Sequence, residues 1–206
     1  MLLAIDTSAA STVAIVDRDR GVLAERSVSD TMRHAEVIGE LISGVIADAG
    51  IEVGELSAVV AGMGPGPFTG LRVGIAAARA FAFGVSRPLV PVVSHDAIAF
   101  AAYRGGSTGP LLVVTDARRR EVYWSRYAAA DEHGLPVRVE GPSLCRPADL
   151  PHVDLPRLEM ASVSAGELGM LAELTYAAGS VFADDVPLYL RSPDVTPAAA
   201  PKRVTG

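Results

Sequence analysis

The chain opens with three short hydrophobic runs that are separated by polar turns. Residues 2–5 and 12–16 are apolar and flank the sequence DTSAAS, and a third run begins at Val22 after the turn DRDRG. Short apolar runs punctuated in this way are typical of β-strands joined by tight turns. The pattern therefore predicts three consecutive strands at the start of the chain.

The next segment, residues 34–50, has a helical period. Its polar residues include Glu36, Glu40 and Asp48, which fall on the side opposite to the apolar ones, and Gly50 stands where a helix would end. This arrangement predicts an amphipathic helix with a glycine at its C-terminal end. The apolar stripe consists of Val37, Ile38, Leu41, Ile42, Val45 and Ile46.

Strand-like and helix-like segments then alternate up to a break at residues 104–110. The strand-like sequence LSAVVAGMG runs into a glycine-rich stretch and an alanine-rich helical segment, and PLVPVVS followed by HDAIAFAAY repeats the alternation. The break, RGGSTGP, is dense in glycine and small polar residues and predicts a boundary. We therefore predict an N-terminal α/β lobe over residues 1–106. Residues 107–206 are predicted to form a smaller, shortened C-terminal α/β lobe with a flexible tail.

Composition narrows the functional classes. The chain has 206 residues, half of them hydrophobic, and a formal net charge of −6, which does not favour an extensive nucleic-acid-binding surface. Cys145 is the single cysteine, so no internal disulfide or thiolate metal site is expected. The sequence MLLAIDTS is predicted to be a strand and not a secretory signal, and no membrane segment is expected. These features favour a cytoplasmic protein.

The glycine-rich stretch GMGPGPFTGLRVG, residues 62–74, admits two interpretations. It follows a predicted strand and precedes a predicted helix, which is the geometry of a phosphate-binding loop. However, Leu71 and Arg72 stand where a P-loop needs lysine and serine or threonine, and Pro65 and Pro67 each lack an N–H donor. A rigid turn that packs the helix closely is the favoured interpretation.

The turn after the first strand also admits two interpretations. Asp6, Thr7 and Ser8 could coordinate Mg²⁺ through water and contact nucleotide phosphates, but the same residue types are ordinary turn formers. We retain them, together with residues of the glycine-rich stretch, as candidate nucleotide contacts. The candidates are Asp6, Thr7, Ser8, Gly64, Gly66 and Thr69.

No other familiar catalytic pattern is visible in the sequence. The four histidines are far apart, no two stand three or four residues apart, and the sequence SVSAG lacks the first glycine of a serine-hydrolase elbow. His34 lies at a predicted helix start, where solvent exposure or capping would explain it. We therefore predict no metal site and no catalytic residue. The histidines are His34, His95, His133 and His152.

The helix predicted after Gly70 is unusually rich in small residues. Glycine and alanine recur around most of its circumference, and such a surface allows a second helix to approach closely. Alanine also favours helix intrinsically, so part of this bias needs no partner. We nevertheless predict a helix-mediated interface. The small residues are Gly74, Ala76, Ala77, Ala78, Ala80 and Ala82.

Several of these segments, taken in order, resemble the TsaB (YeaZ) family of bacterial tRNA threonylcarbamoyladenosine biosynthesis proteins. They are LLAIDTSAASTVAIV, RHAEVIGELI, GMGPGPFTGLRVGIAAARAFAFG, DARRREVYW and PLYLRSPD. The resemblance is specific from Leu2 to about Tyr127 and returns at residues 187–194. It implies a two-lobed actin-like ATPase (ASKHA, ribonuclease H-like) α/β fold with mixed sheets flanked by helices.

The resemblance also implies a function. Such a chain is a non-catalytic subunit that dimerises with TsaD and activates it. TsaD transfers threonylcarbamoyl to a tRNA adenosine next to the anticodon. The resemblance further implies a homodimer when the chain is alone, TsaE as a further partner, and tRNA contact only through the complex. No cofactor would be tightly bound, and ATP or ADP would lie at the complex interface.

TsaD-like proteins hold a metal with two histidines on the first long helix. Here His34 has no second histidine a turn later, where Ile38 stands, so the resemblance implies a lost metal site. It places the pairing surface on the N-terminal helices, with His34, Val37, Leu41, Gly74, Ala77 and Ala78 as the predicted interface residues. The alternative is a nucleotide-dependent kinase or ATPase of the same fold; a peptidase is weaker, because the sequence shows neither a metal pair nor an activated serine.

Overall fold

The computed structural model describes residues 1–29 and 34–191. The predicted flexible tail after residue 191 and the last part of the PLYLRSPD segment lie outside the described residues. Within them, the alternation of strands and helices follows the punctuation of the sequence. The strands are β1 Leu2–Asp6, β2 Ser11–Asp17, β3 Gly21–Val28, β4 Ala58–Gly62, β5 Leu89–Val92, β6 Leu111–Asp116, β7 Val122–Ala130, β8 Pro136–Cys145 and β9 Arg157–Met160. The helices are α1 His34–Ala49, α2 Phe68–Gly84, α3 Ser94–Arg104 and α4 Ala165–Ala177, with short 3-10 turns at Val53–Glu55 and Pro147–Asp149.

The first sheet has five strands in the order β3-β2-β1-β4-β5. Strands β1 to β3 form an antiparallel meander, and β4 and β5 continue the sheet in parallel with β1. Every residue of β1 and β4 is buried, as expected for central strands covered by helices on both faces. The three strands predicted at the start of the chain are confirmed.

The second sheet has four strands in the order β8-β7-β6-β9. Strands β6, β7 and β8 are antiparallel, and β9 adds to the edge in parallel with β6. Strands β6 and β7 form a hairpin whose turn carries the arginines of DARRREVYW. The polar edge strands β8 and β9 lie in the region where the sequence shows no firm period.

The helices cover the first sheet on both faces. Helices α1 and α2 pack on one face over a core that includes Ile5, Leu41 and Leu71. Helices α3 and α4 pack on the other face, and their core, which includes Phe100, Tyr127 and Leu168, joins the two sheets. Gly50 follows α1 with a φ of 64°, a left-handed conformation that glycine adopts without strain.

The strands of the first sheet precede the segment 104–110 in the chain, and those of the second sheet follow it. Helix α4 does not follow this division. It comes from the C-terminal half of the chain and packs on β1 and β2 of the first sheet, where Gly169 lies against the side chain of Val16. Thr12 also donates a hydrogen bond to the carbonyl of Val163 at 2.8 Å. The division into lobes over residues 1–106 and 107–206 stays a prediction.

Candidate functional site

The turn between β1 and β2 is held by a buried carboxylate. Asp6 is 1% exposed, and its Oδ1 accepts hydrogen bonds from the Ser8 backbone N–H at 2.8 Å and the Ser8 hydroxyl at 2.6 Å. Its Oδ2 accepts a hydrogen bond from the Ser94 hydroxyl at 2.5 Å. Burial raises the pKa of Asp6, and these hydrogen bonds partly offset the rise. Both carboxylate oxygens are therefore engaged by the protein's own donors.

The glycine-rich stretch packs directly against this turn. A Cβ at Gly66 would lie 2.5 Å from the carbonyl oxygen of Ser8 and 2.7 Å from its Cα. A Cβ at Gly70 would lie 2.7 Å from the carbonyl oxygen of Thr7, whose hydroxyl donates a 2.7 Å hydrogen bond to the Gly70 carbonyl. Only glycine permits such close backbone contact. The geometry favours the interpretation of this stretch as a structural turn.

Two further glycines of the same stretch face the turn. The side chain of Asp6 fills the space that a Cβ on Gly62 would need, and the side chain of Thr7 does the same at Gly74. Gly64 has a φ of 93°, and its N–H donates to the Ser94 hydroxyl at 3.1 Å. Of the candidate nucleotide contacts, Thr69 alone is exposed. A nucleotide-contacting role for this set stays a prediction.

His34 is part of the same packing. It begins α1, as predicted, but it is only 7% exposed, so of the two explanations offered, solvent exposure and capping, solvent exposure is wrong. Its Nδ1 lies 2.6 Å from the Ser11 hydroxyl, and Gly70 packs beside its ring. The histidine thus connects the start of α1 to the β2 strand and to α2.

An open cleft lies between the start of α2 and the β6–β7 turn. Its volume is about 430 Å³, which is within the range of small-molecule sites. Three consecutive arginines, Arg118 to Arg120, form the turn with φ values of 63°, 54° and 62°. The cleft is lined by residues 66–69 and by Ala117, Arg118, Arg119, Tyr123, Tyr189 and Arg191.

The predicted interface residues differ in accessibility. His34, Leu41, Gly74 and Ala78 are buried against the chain itself, and Val37 and Ala77 are half-buried. The exposed face of α2 instead carries Arg72, Ala76, Arg79, Ala80 and Phe83, and Phe83 is 88% exposed. A partner that docks on this face would therefore contact these exposed residues and not the buried residues that were predicted as the interface. The interface itself stays a prediction.

A buried polar cluster connects α3 to the second sheet. Its residues were not among the functional candidates predicted from the sequence. His95 is fully buried, with Nδ1 2.8 Å from the Ser125 hydroxyl and Nε2 2.9 Å from the Thr115 hydroxyl. Burial lowers the pKa of His95 to about 3, so the ring is neutral at pH 7. The neighbouring Asp96 accepts a 2.7 Å hydrogen bond from the Tyr127 hydroxyl. Its position inside the molecule makes this cluster structural.

Across residues 1–29 and 34–191, no three side chains of the His, Cys, Asp and Glu types are grouped closely enough to hold a metal ion. Over the same part of the chain, none of the helices combines the length and the apolar character needed to cross a bilayer.

Comparison with known proteins assigns the chain to a family. Residues 6–179 match the family model described as TsaD, tRNA N6-adenosine threonylcarbamoyltransferase. The chain belongs to this family. It is 29% identical to the tRNA threonylcarbamoyladenosine biosynthesis protein TsaB of Escherichia coli, over 96% of this chain and 85% of that protein. An uncharacterized protein of Mycobacterium tuberculosis is 41% identical over 96% of this chain and 95% of its own length.

Solved structures of YeaZ type agree with this assignment. YeaZ from Pseudomonas aeruginosa superposes with a TM-score of 0.73 at 26% identity, covering 92% of this chain and 99% of that one. A second Pseudomonas aeruginosa structure, of an uncharacterized protein with similarity to peptidase YeaZ, gives a TM-score of 0.77 at 25% identity with the same coverage. The resemblance to TsaB (YeaZ) and the actin-like fold class are thereby confirmed.

Proposed function

We propose that this TsaB-like chain is a non-catalytic subunit that dimerises with TsaD and activates threonylcarbamoyl transfer to the tRNA adenosine next to the anticodon. TsaE joins the complex, and the chain alone forms a homodimer. Any ATP or ADP binds at the complex interface and is not held tightly by the isolated chain. The proposal places the chain in the cytoplasm, with the tRNA modification machinery. The family match and the TsaB relatives support a role in this biosynthesis.

The outward face of α2 is the observation that carries the proposal. Ala76 and Ala80 are exposed, so the backbone of a partner helix can approach closely. Phe83 lies at the end of the same face and exposes 88% of its surface, and an exposed aromatic side chain can serve as an anchor in a protein interface. Arg72 and Arg79 are exposed on the same side, so the proposed docking face combines two small residues, an aromatic side chain and two charged neighbours.

The packing of the β1–β2 turn supports a non-catalytic role. An Asp that holds Mg²⁺ needs carboxylate oxygens directed at the ion and its water ligands. Asp6 is buried, and its two oxygens accept hydrogen bonds from Ser8 and Ser94. The close contact of Gly66 with the Ser8 backbone fills the space beside this turn. These residues therefore serve to fix α2, the proposed docking helix, against the first sheet.

The substitution Ala80→Glu tests the proposal through activity. It places a charge in the centre of the docking face, and burying that charge without a partner is expected to weaken TsaD binding about tenfold or more. Threonylcarbamoyl transfer by TsaD should fall accordingly at limiting concentrations of this chain. Ala177→Glu, at an exposed alanine on α4, is the matched control and should leave the transfer rate unchanged. Equal activation by both variants would contradict the docking role of α2.

A kinase or ATPase of the same fold is the second candidate. The cleft of about 430 Å³ beside residues 66–69 is the observation that favours it, because two of the candidate nucleotide contacts, Gly66 and Thr69, line it. Calorimetric titration with Mg-ATP separates the two candidates. Binding in the micromolar range together with turnover would support the enzyme; no measurable heat at millimolar Mg-ATP would support the subunit.

A further inference from the structure

Residues 182–189, which we call the crossing segment, pass from one face of the first sheet to the other. At one end, Phe182 packs against the core that α3 and α4 cover. At the other end, Tyr189 packs against the core under α1 and α2. The N–H of Leu188 donates a 2.9 Å hydrogen bond to the carbonyl of Met63, just beyond the end of β4. The segment is therefore held on both faces of the sheet.

The crossing segment runs beside α2, the proposed docking helix. The ring centroid of Tyr189 lies 4.7 Å from that of Phe68, the first residue of α2. About three helical turns further along α2, Arg79 Nη2 donates hydrogen bonds to Asp185 Oδ1 at 2.6 Å and to the Asp185 carbonyl at 3.3 Å. The segment and the helix thus form one continuous surface.

Arg79 presents a difficulty for docking on this face of α2. It is next to Ala80 and one turn before Phe83, so a partner that covers these residues also takes the Arg79 guanidinium out of water. Removing a charge from water is costly unless an opposite charge pairs with it. Asp185 already supplies that charge from within the same chain, so no side chain of the partner has to be ordered for this purpose.

We propose that Asp185 neutralises Arg79 inside the interface, and that the crossing segment is therefore part of the surface on which TsaD docks. This inference rests on the proposed function, because it takes α2 to be the docking helix. Val186, the next residue, is 61% exposed and adds an apolar side chain beside the ion pair. In the free chain the side chains of Arg79 and Asp185 are 47% and 55% exposed, so water screens the pair and it contributes little to folding stability.

Calorimetric titration of TsaD with variants of the full chain tests the inference. Asp185→Asn keeps the size of the side chain but leaves Arg79 without its carboxylate, and it is expected to weaken TsaD binding about tenfold or more. The urea midpoint of unfolding should not change, because the pair is exposed in the free chain. The double variant Arg79→Gln/Asp185→Asn removes both charges and should bind TsaD within about threefold of the unchanged chain.

Asp184→Asn is the matched control, because it removes the same charge at the adjacent exposed residue and should bind TsaD like the unchanged chain. Equal weakening by both aspartate variants would assign the effect to the charge of the segment and contradict the inference. Unchanged binding by Asp185→Asn would mean that Arg79 stays in water, and tighter binding would mean that the segment obstructs α2. A double variant as weak as Asp185→Asn would mean that Asp185 contacts TsaD directly.

The same titrations separate this inference from the proposed function. If Ala80→Glu weakened TsaD binding while Asp185→Asn did not, the docking role of α2 would stand and the role of the crossing segment would be wrong. If the unchanged chain failed to bind TsaD, the proposed function would be wrong and this inference would fall with it.

Discussion

The substitution Gly66→Ala is expected to destabilise the protein severely. The added Cβ would lie 2.5 Å from the carbonyl oxygen of Ser8 and 2.7 Å from its Cα, well inside van der Waals contact. Both atoms belong to the backbone of Ser8, and hydrogen bonds to Asp6 hold this residue in place. The backbone therefore cannot move away from the added Cβ without a large cost in free energy. Overpacking of this kind costs about 3 kcal/mol or more, a large part of a typical unfolding free energy of about 5–15 kcal/mol.

The free energy of unfolding from urea titration followed by circular dichroism measures the effect. Gly39→Ala is the matched control, because nothing lies within 4 Å of a Cβ at that exposed position of α1. Alanine is a better helix former than glycine, so the control is expected to be more stable by about 0.5–1 kcal/mol. If Gly66→Ala unfolded at the same urea concentration as the unchanged chain, the close contact between residues 66 and 8 would be contradicted.

The second large effect is a loss of stability in acid that depends on His95. The unfolded chain takes up a proton on this ring near its ordinary pKa of 6.5, whereas the folded chain holds the ring neutral down to a pKa of about 3. Because the unfolded state binds more protons in this window, stability falls as the pH falls, by about 1.4 kcal/mol for each pH unit. The loss attributable to His95 is about 2 kcal/mol between pH 6.5 and 5.

Comparison with His95→Gln isolates this contribution. Whatever its stability at pH 7, the variant lacks the titrating ring, so its free energy of unfolding should fall less between about pH 6.5 and 5. Asp6 acts in the opposite sense, because its raised folded pKa favours the folded state as the pH falls through it, and it is present in both proteins. Equal losses in the two proteins would mean that His95 is not held neutral in the folded chain.

Local patterns in the sequence were sufficient to predict most of the fold. The apolar stripe over residues 34–50 predicted α1, and the glycine after it predicted where the helix ends. The strand, loop and helix around residues 58–84 followed from a buried apolar run, prolines and glycines, and an alanine-rich segment. These features depend on residues close together in the chain, which is why the sequence reveals them.

The contacts that form the site could not be predicted in the same way. Asp6 meets Ser94 across 88 positions of sequence, and Thr7 meets Gly70 across 63. The polar residues of the β1–β2 turn are typical of an exposed turn, yet the glycines of the distant loop bury them. Strands β8 and β9 were missed because edge strands carry many exposed polar residues and lack a clear apolar period.

The sequence marks the orientation of α2 only weakly. Alanine and glycine occupy both its buried and its exposed sides, so the contrast rests on a few residues, the buried Leu71 and Ile75 and the exposed Arg72 and Arg79. The structure buries Gly74 and Ala78 and exposes Ala76 and Ala80. The choice of docking residues therefore depends on the tertiary structure.

Light scattering coupled to size-exclusion chromatography of this chain mixed with TsaD tests the central claim most directly. The account predicts a species with the mass of one copy of each protein and, for the chain alone, a dimer of twice its 21.4 kDa. Ala80→Glu should shift both samples toward monomers, because the two complexes use the same face of α2. If the unchanged chain eluted as a monomer and remained separate from TsaD at micromolar concentrations, the claim that it is a TsaD-binding subunit would be wrong.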